Sequence, residues 1–337
     1  MRANRPQIQV SYTGGTIGMI PSPHGMVPGA DIRDFLADVV SANSLDIGVN
    51  IHEFDHLIDS ANATPVDWQA MVDNIRAGAG DYDGFVILHG TDTLAYTGAA
   101  LSYALTGFGK PVVITGAQRS INEPGSDALG NVLGALMAAS SGKFNSVGVF
   151  FDDVLLAGPR ATKLSAVGFH GFDSPNAEPL AHGGDRWRWT DVPPAGAGWP
   201  DPKPYTRRDV LVAQLVPGIT AARLRAMATP APEALQVRAY GTGDGPSEEP
   251  GFFDLIAELV RAGTPVVVSS QCVQARVDLV RYEAAEFFHR AGAIGSGDMT
   301  TEAAYVKLVF LLSQGVAPLD MGKWMHTDLA GELRARS

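Results

Sequence analysis

Two stretches of this sequence set hydroxyl groups beside glycines: Thr13-Gly14-Gly15-Thr16 and His89-Gly90-Thr91-Asp92-Thr93. A hydroxyl from one loop can attack an electrophilic carbon, while backbone N–H groups freed by glycine turns hold the oxyanion that forms. Each stretch follows a short run that reads as a strand, residues 8–12 and 85–88, the second apolar at every position. From residue 93 onward, Leu94, Ala95, Leu101 and Leu105 recur at helical spacing, so Thr91-Asp92-Thr93 falls where a strand ends and a helix begins. In an open α/β sheet that edge is where ligands bind. Alone, Thr91-Asp92 has a plainer reading as the cap of the next helix. The second stretch of the same design is what favours one site built from both.

Three further positions bear polar groups near strand ends. Asp59-Ser60-Ala61-Asn62 follows the run at 49–57 and reads equally as a simple turn. Gly116-Ala117-Gln118 closes the strand at 111–115 in a third glycine turn. Lys163 lies in a polar, glycine-bearing segment at 158–176, where a lone lysine ordinarily reads as a solvated charge.

A decoy lies between them. His52-Glu53-Phe54-Asp55-His56 matches the zinc-protease pattern, which works only on a helix, where residues four apart share a face. Here Val49 and Ile51 alternate with Asn50 and His52, the spacing of a strand, so the two imidazoles are not expected to share a metal. No metal or other cofactor is expected.

The elements that must position these groups alternate. Strands are expected at 8–12, 49–57, 85–88, 111–115 and 146–151, and helices at 31–40, 64–77, from 93 onward and at 126–139. Thr64-Pro65-Val66-Asp67 is a strong helix start, with a Thr cap, proline in the first turn and an early acid. Residues 17–30 hold Pro21, Pro23, Pro28 and several glycines, a loop that reads as a mobile lid or as ordinary surface. Composition shifts at 186–208, rich in proline and carrying three tryptophans. A smaller alternation follows, with strands at 210–216, 234–240 and 265–269 and helices at 220–227, 250–261 and 300–312. Its glycine turn at 241–245 lacks the dinucleotide-binding spacing. The expected fold is α/β, in two domains. Residues 1–188 form a larger catalytic domain with a mainly parallel sheet, 189–209 a linker, and 210–337 a smaller Rossmann-like domain.

Whole-chain properties bound the function. The net charge of −11, from 25 basic and 36 acidic residues, argues against nucleic acid or an anionic membrane as partner. No apolar run approaches the ~18 residues of a membrane span. One cysteine, Cys272, leaves no internal disulfide, which fits a reducing compartment. The first strand begins almost at once, so no signal peptide is expected, and the protein reads as cytoplasmic.

Taken together, these segments resemble the L-asparaginases, closest to the cytosolic type I group. The resemblance runs along nearly the whole chain. It rests on Tyr12-Thr-Gly-Gly-Thr-Ile-Gly-Met19, Asp59-Ser60, His89-Gly-Thr-Asp-Thr93, Thr162-Lys163, Arg238-Ala-Tyr-Gly241, Gln271-Cys272 and Gly297-Asp-Met-Thr-Thr-Glu302. It implies metal-free hydrolysis of asparagine to aspartate and ammonia through an acyl-enzyme, with Thr16 as nucleophile and Thr91, Asp92 and Lys163 as the second polar group. Asp59, Ser60 and Asp92 would hold the α-amino and α-carboxylate groups, Gly15 and Thr91 the oxyanion, and Ala117 would lie near the leaving amide. It implies tetramers built as dimers of dimers, with each site completed by a neighbouring subunit, and an activating asparagine site at Arg238, Ser270 and Cys272. Arg238 also reads simply as an interface residue.

Two positions depart from the family's pattern. Met26 stands where the lid usually has a tyrosine, and Asp244 where the neighbouring subunit's residue is commonly asparagine. A thioether cannot carry a proton, which leaves the Thr91–Lys163 side of the site or His24 to take it from Thr16; the anchored Thr91–Lys163 side is favoured. A lysine base must be neutral, against an ordinary pKa of ~10.4. Two other functions stay open: an amidohydrolase preferring glutamine or another amide, and a weakly catalytic amino-acid-binding regulator.

Overall fold

A computed structural model of the chain describes residues 5–334 apart from 24, 185, 192–195 and 281–282. It divides into two units, Met1–Pro194 and Ala195–Ser337.

The first unit is built on strands β1 (Gln7–Tyr12), β2 (Met19–Ser22), β3 (Gly25–Pro28), β4 (Gly48–Glu53), β5 (Gly84–Leu88), β6 (Val112–Thr115), β7 (Val147–Phe151), β8 (Val154–Ala157), β9 (Thr162–Lys163), β10 (Phe172–Asp173), β11 (Ala181–His182) and β12 (Arg188–Trp189). Its helices are α1 (Ile32–Ala42), α2 (Pro65–Ala77), α3 (Leu94–Ala104) and α4 (Ala128–Ser140). Among the described residues, eight strands form one sheet in the order β12-β11-β8-β7-β6-β5-β1-β4. From β4 to β7 all neighbours are parallel, so the carboxyl ends of β4, β1, β5 and β6 lie along one edge. β5 sits inside this array, and every residue of it is buried, as its unbroken apolar run requires. Each Val, Leu, Ile or Phe so buried contributes roughly 1.5–3 kcal/mol. α2 opens with the expected capping box: the Asp67 carboxylate accepts from the Thr64 backbone N–H at 2.7 Å. α3 and α4 are rich in Ala and Gly; α3 is almost wholly buried and α4 along most of one side, since small side chains let a helix lie close to its neighbours.

Three features differ from the sequence reading. Residues 17–30 are not simply a loop, because β2 and β3 pair as an antiparallel hairpin. An isolated two-stranded ribbon tolerates prolines that a central strand would not, so proline content misleads there. The sheet also continues past β7 through antiparallel β8, β11 and β12. The segment bearing Lys163 forms a separate two-residue ladder, β9 with β10. The tryptophans at 186–208 divide between the units. Trp187 and Trp189 stack at 5.4 Å and pack beside Phe150 and Phe144 in the first, and Trp199 packs on Phe310 and Trp324 in the second.

The second unit holds a parallel sheet of β13 (Val210–Gln214), β14 (Ala234–Ala239), β15 (Val266–Ser270) and β16 (Ile294–Gly295). Its helices are α5 (Ala221–Met227), α6 (Phe252–Arg261), α7 (Glu283–Arg290), α8 (Thr301–Gln314) and α9 (Met321–Met325). α7 and β16 lie outside the elements that the sequence pattern predicts. Among the described residues, no helix is long and apolar enough to cross a membrane.

α8 buries a charge. Lys307 and Glu332 pair with both side chains 0% exposed, and Lys307 Nζ also donates to the carbonyls of Met325 (3.2 Å) and Thr327 (2.5 Å). Glu332 accepts from the N–H groups of Leu329 and Ala330, so the pair is satisfied and holds the C-terminal segment down. Burial lowers the Lys307 pKa against the pull of Glu332. Burial and the neighbouring Glu332 push Asp328 up from 3.8 to about 6. A raised carboxyl pKa favours the folded state at low pH, and that contribution is lost as pH rises through about 6. Asp328→Asn should therefore raise Tm by roughly 2–4 °C near pH 8, with the gain shrinking below about pH 6 and vanishing only below the ordinary carboxyl value of 3.8. Thermal melts across that range check it; equal gains at both ends would contradict the assignment.

Candidate active site

Glycines set how the loops meet. Gly14 and Gly15 adopt φ of +116° and +91°, a region that side-chain-bearing residues avoid. A Cβ on Gly15 would stand 2.4 Å from both Cα and N of Gly90, so the turn after β1 lies backbone on backbone against the turn after β5. A Cβ on Gly90 would meet Ser60 Oγ at 2.6 Å, which brings the turn after β4 into the same contact. Thr16 opens a 3-10 turn, Thr16–Gly18, and is half-buried there. The turn after β6 supports it: the Ile121 N–H donates to the Ile17 carbonyl at 3.1 Å, and Ser120 Oγ to the Met19 carbonyl at 2.5 Å.

Thr91 and Asp92 do not cap the helix that follows. The N-cap of α3 is Thr93, with no side-chain cap bond, and the Thr93 hydroxyl donates instead to the Ser60 carbonyl at 2.8 Å. Thr91 and Asp92 turn to Lys163, whose Nζ donates to Thr91 Oγ1 at 2.9 Å and to Asp92 Oδ1 at 2.6 Å. Lys163 is therefore not a solvated charge: its side chain is 17% exposed, against 64% for Asp92. Thr91 and Ser60 are buried. Asp59 is exposed, and one of its oxygens accepts from the Ala61 N–H at 3.2 Å, leaving the carboxylate at the rim. Ala117 is buried in the turn after β6.

His89 belongs to the frame. Its Nδ1 stands 2.7 Å from the Gly90 carbonyl and must donate to it, so Nε2 accepts from the Thr97 hydroxyl at 3.0 Å. Burial lowers its pKa, keeping the ring neutral and the turn rigid.

The sequence reading missed a clamp behind Ala117. The Asp127 carboxylate, at the start of α4, accepts from the N–H groups of Gln118 (2.9 Å) and Arg119 (3.0 Å) and from Asn131 Nδ2 (3.0 Å). Asn131 donates to the Gly116 carbonyl and accepts from the Asp152 N–H, both at 3.0 Å. An acid ten residues past a glycine turn gives no recognisable signal; only the fold makes it a partner.

The remaining predicted residues lie in the second unit. Arg238, Ser270 and Cys272 gather at the carboxyl ends of neighbouring β14 and β15. Arg238 Nη1 donates to Gln214 at 3.1 Å, while its buried Nε has no hydrogen-bond partner among the described residues. The Ser270 hydroxyl is engaged, donating to the Gly241 carbonyl at 2.6 Å and accepting from the Cys272 N–H at 2.9 Å. Cys272 is exposed. Asp244 closes a tight turn with Tyr240, and its buried Oδ1 has no hydrogen-bond partner among the described residues. His24 and the Met26 side chain lie outside the described residues. His52 lies in extended β4 and the chain from 54 to 59 forms no helix, so the spacing in the zinc pattern does not set His52 and His56 on one helical face.

Comparison with known proteins gives the same two-part division. Residues 7–194 match the family model for the asparaginase N-terminal domain, and residues 209–325 that for the glutaminase/asparaginase C-terminal domain. The chain is 40% identical over 333 residues to L-asparaginase 1 of Escherichia coli K12, covering 98% of each. It is 34% identical over 329 residues to an L-asparaginase of Thermococcus kodakarensis, covering 97% of this chain and 99% of that one. The crystal structure of L-asparaginase I from Vibrio cholerae superposes with a TM-score of 0.87 at 36% identity, over 98% of this chain and 100% of that one. With both domains matched in order and the strand-end turns interlocked, the chain belongs to the L-asparaginase family of amidohydrolases.

Proposed function

We propose that the chain hydrolyses L-asparagine to L-aspartate and ammonia through an acyl-enzyme on Thr16, without a metal. The observation that carries this reading is the backbone contact between Gly15 and Gly90, with Lys163 bonded to Thr91 and Asp92 beside it. Thr16 Oγ attacks the carboxamide carbon, and its proton passes to the Thr91–Lys163 side. The oxyanion is held by the N–H groups of Gly15 and Thr91. Collapse expels the amide nitrogen as ammonia, which takes up the proton, and water then cleaves the aspartyl ester. Asp59 and Asp92 hold the substrate ammonium, Ser60 its carboxylate, and Ala117 borders the leaving amide. Asp244 of a neighbouring subunit completes the site in a tetramer built as a dimer of dimers. The protein works in the cytoplasm, which its single cysteine supports.

The test is ammonia release from asparagine, glutamine and aspartyl peptides, with and without chelator. Asparagine should be the preferred substrate and EDTA should change nothing. Loss of activity with EDTA, restored by zinc, would assign the chemistry to His52 and His56 instead.

Arg238, Ser270 and Cys272 form a second asparagine site that activates the first. The unpaired Arg238 Nε supports a carboxylate there, since a guanidinium binds that group through two parallel bonds. Linkage then requires a rate that rises sigmoidally with asparagine, with a coupling of about 1–3 kcal/mol. Arg238→Ala should make the curve hyperbolic. A hyperbolic curve for the unmodified protein, unchanged by that substitution, would remove the effector site.

A further inference from the structure

Lys163 lies on a weak element. β9 and β10 form a ladder of two residues each, apart from the eight-stranded sheet, and so short a ribbon does not hold its own position. The turn beyond Lys163 is nevertheless well bonded. The N–H groups of Leu164 and Ser165 donate to the Gly171 carbonyl, and those of Val167 and Gly168 to Ser165 Oγ. Internal bonds shape a turn without fixing it to the rest of the molecule. This turn is fixed at its far end, where His170 Nδ1 stands 3.1 Å from Asp152 Oδ2 and Phe172 packs on Phe151, and at its middle by the turn after β6. Gln118 Nε2 donates to the carbonyls of both Ser165 and Gly168, at 3.0 Å each, and the Arg119 guanidinium stands 5.1 Å above the Phe169 ring. Gly171 leaves room for this: a Cβ there would stand 2.9 Å from Gln118 Nε2. Gln118 is itself held, its backbone N–H donating to both oxygens of Asp127.

We propose that Gln118 is a positioning residue for the reaction, fixing the Lys163 turn against the turn after β6 so that Nζ stays within reach of Thr91 and Asp92. This rests on the role assigned to Lys163 above. It also ties the two sides of the amide together, because Gln118 follows Ala117 directly. Neutral side-chain bonds contribute little each to stability, but a base displaced by about 1 Å can cost up to 100-fold in rate.

The experiment is a double-mutant cycle with asparagine as substrate. Gln118→Met keeps the length and removes both donors. It should lower kcat about 10-fold with KM within about 3-fold, and in a Lys163→Met background it should have no further effect, as expected for residues acting as one unit. Hydrogen exchange gives an independent readout: Gln118→Met should speed exchange in 164–171 and leave the Thr16 turn unchanged. Gln118→Glu, a second variant of the same length whose carboxylate cannot donate, should match or exceed the loss. Equal losses in both backgrounds, or no loss in either, would overturn the proposal. If Lys163→Met alone keeps nearly full activity, the assigned role of Lys163 fails first, and the positioning role with it.

Discussion

Thr16→Ala should abolish asparagine hydrolysis, with kcat reduced at least ~10⁴-fold, while the protein keeps its fold and melting temperature. Losses of that order follow removal of the nucleophile from a hydroxyl-dependent acyl-transfer site, because what remains is binding and oxyanion stabilisation alone. The fold should survive because Thr16 does not hold the turn together. The backbone contacts of Gly15 with Gly90 and the bond from Ile121 to Ile17 do so, and neither uses the Thr16 side chain. Substrate affinity should change little, since Asp59, Ser60 and Asp92 come from other loops. Calorimetry and ammonia assays on the same preparation check both halves. Residual activity above about 1% would move the nucleophile elsewhere, with Thr91 the first candidate.

Lys163→Met should cost ~100-fold or more in kcat, the scale of a lost acid–base group. The side chain keeps much of its length, but Thr91 Oγ1 and Asp92 Oδ1 lose their shared donor. Asp92 is largely exposed and water can replace its partner; Thr91 is buried and cannot be served as easily. The damage should therefore fall on proton transfer rather than on substrate binding, with kcat falling far more than KM rises. His24→Ala should change turnover less than ~10-fold, and the acid limb of kcat should not follow a group titrating near ~6.5. If His24→Ala instead removed most activity and erased such a limb, that histidine would be standing in for the tyrosine that Met26 replaces.

Much of this was legible in the sequence, for identifiable reasons. The run at 85–88 is apolar at every position and could only be a strand buried on both faces. Alternation at 49–52 identified a strand beneath a zinc-like pattern. Paired glycine turns pointed to a shared edge, and the contact of Gly15 with Gly90 is why both residues lack side chains. Other elements left no such mark. β11 and β12 are two residues each, too short for any periodicity to register. β2 and β3 carry prolines that argue against strands unless one knows they form an isolated ribbon. Gln118, Asp127 and Asn131 act through partners up to 50 residues away, and nothing local distinguishes them from surface polar residues. Lys163 could be singled out only by family resemblance, because a lone lysine in a polar loop looks like any other. Its bonds to Thr91 and Asp92 span more than 70 residues of sequence.

The aspartyl group of asparagine should become esterified to the Thr16 hydroxyl as the amide nitrogen leaves as ammonia. The most direct measurement is acid quenching within the first turnovers, followed by peptide mapping by mass spectrometry. One aspartyl group should be found on the peptide that contains Thr16, and no adduct should form in Thr16→Ala. An aspartyl group on any other peptide, or ammonia release undiminished by Thr16→Ala, would contradict it.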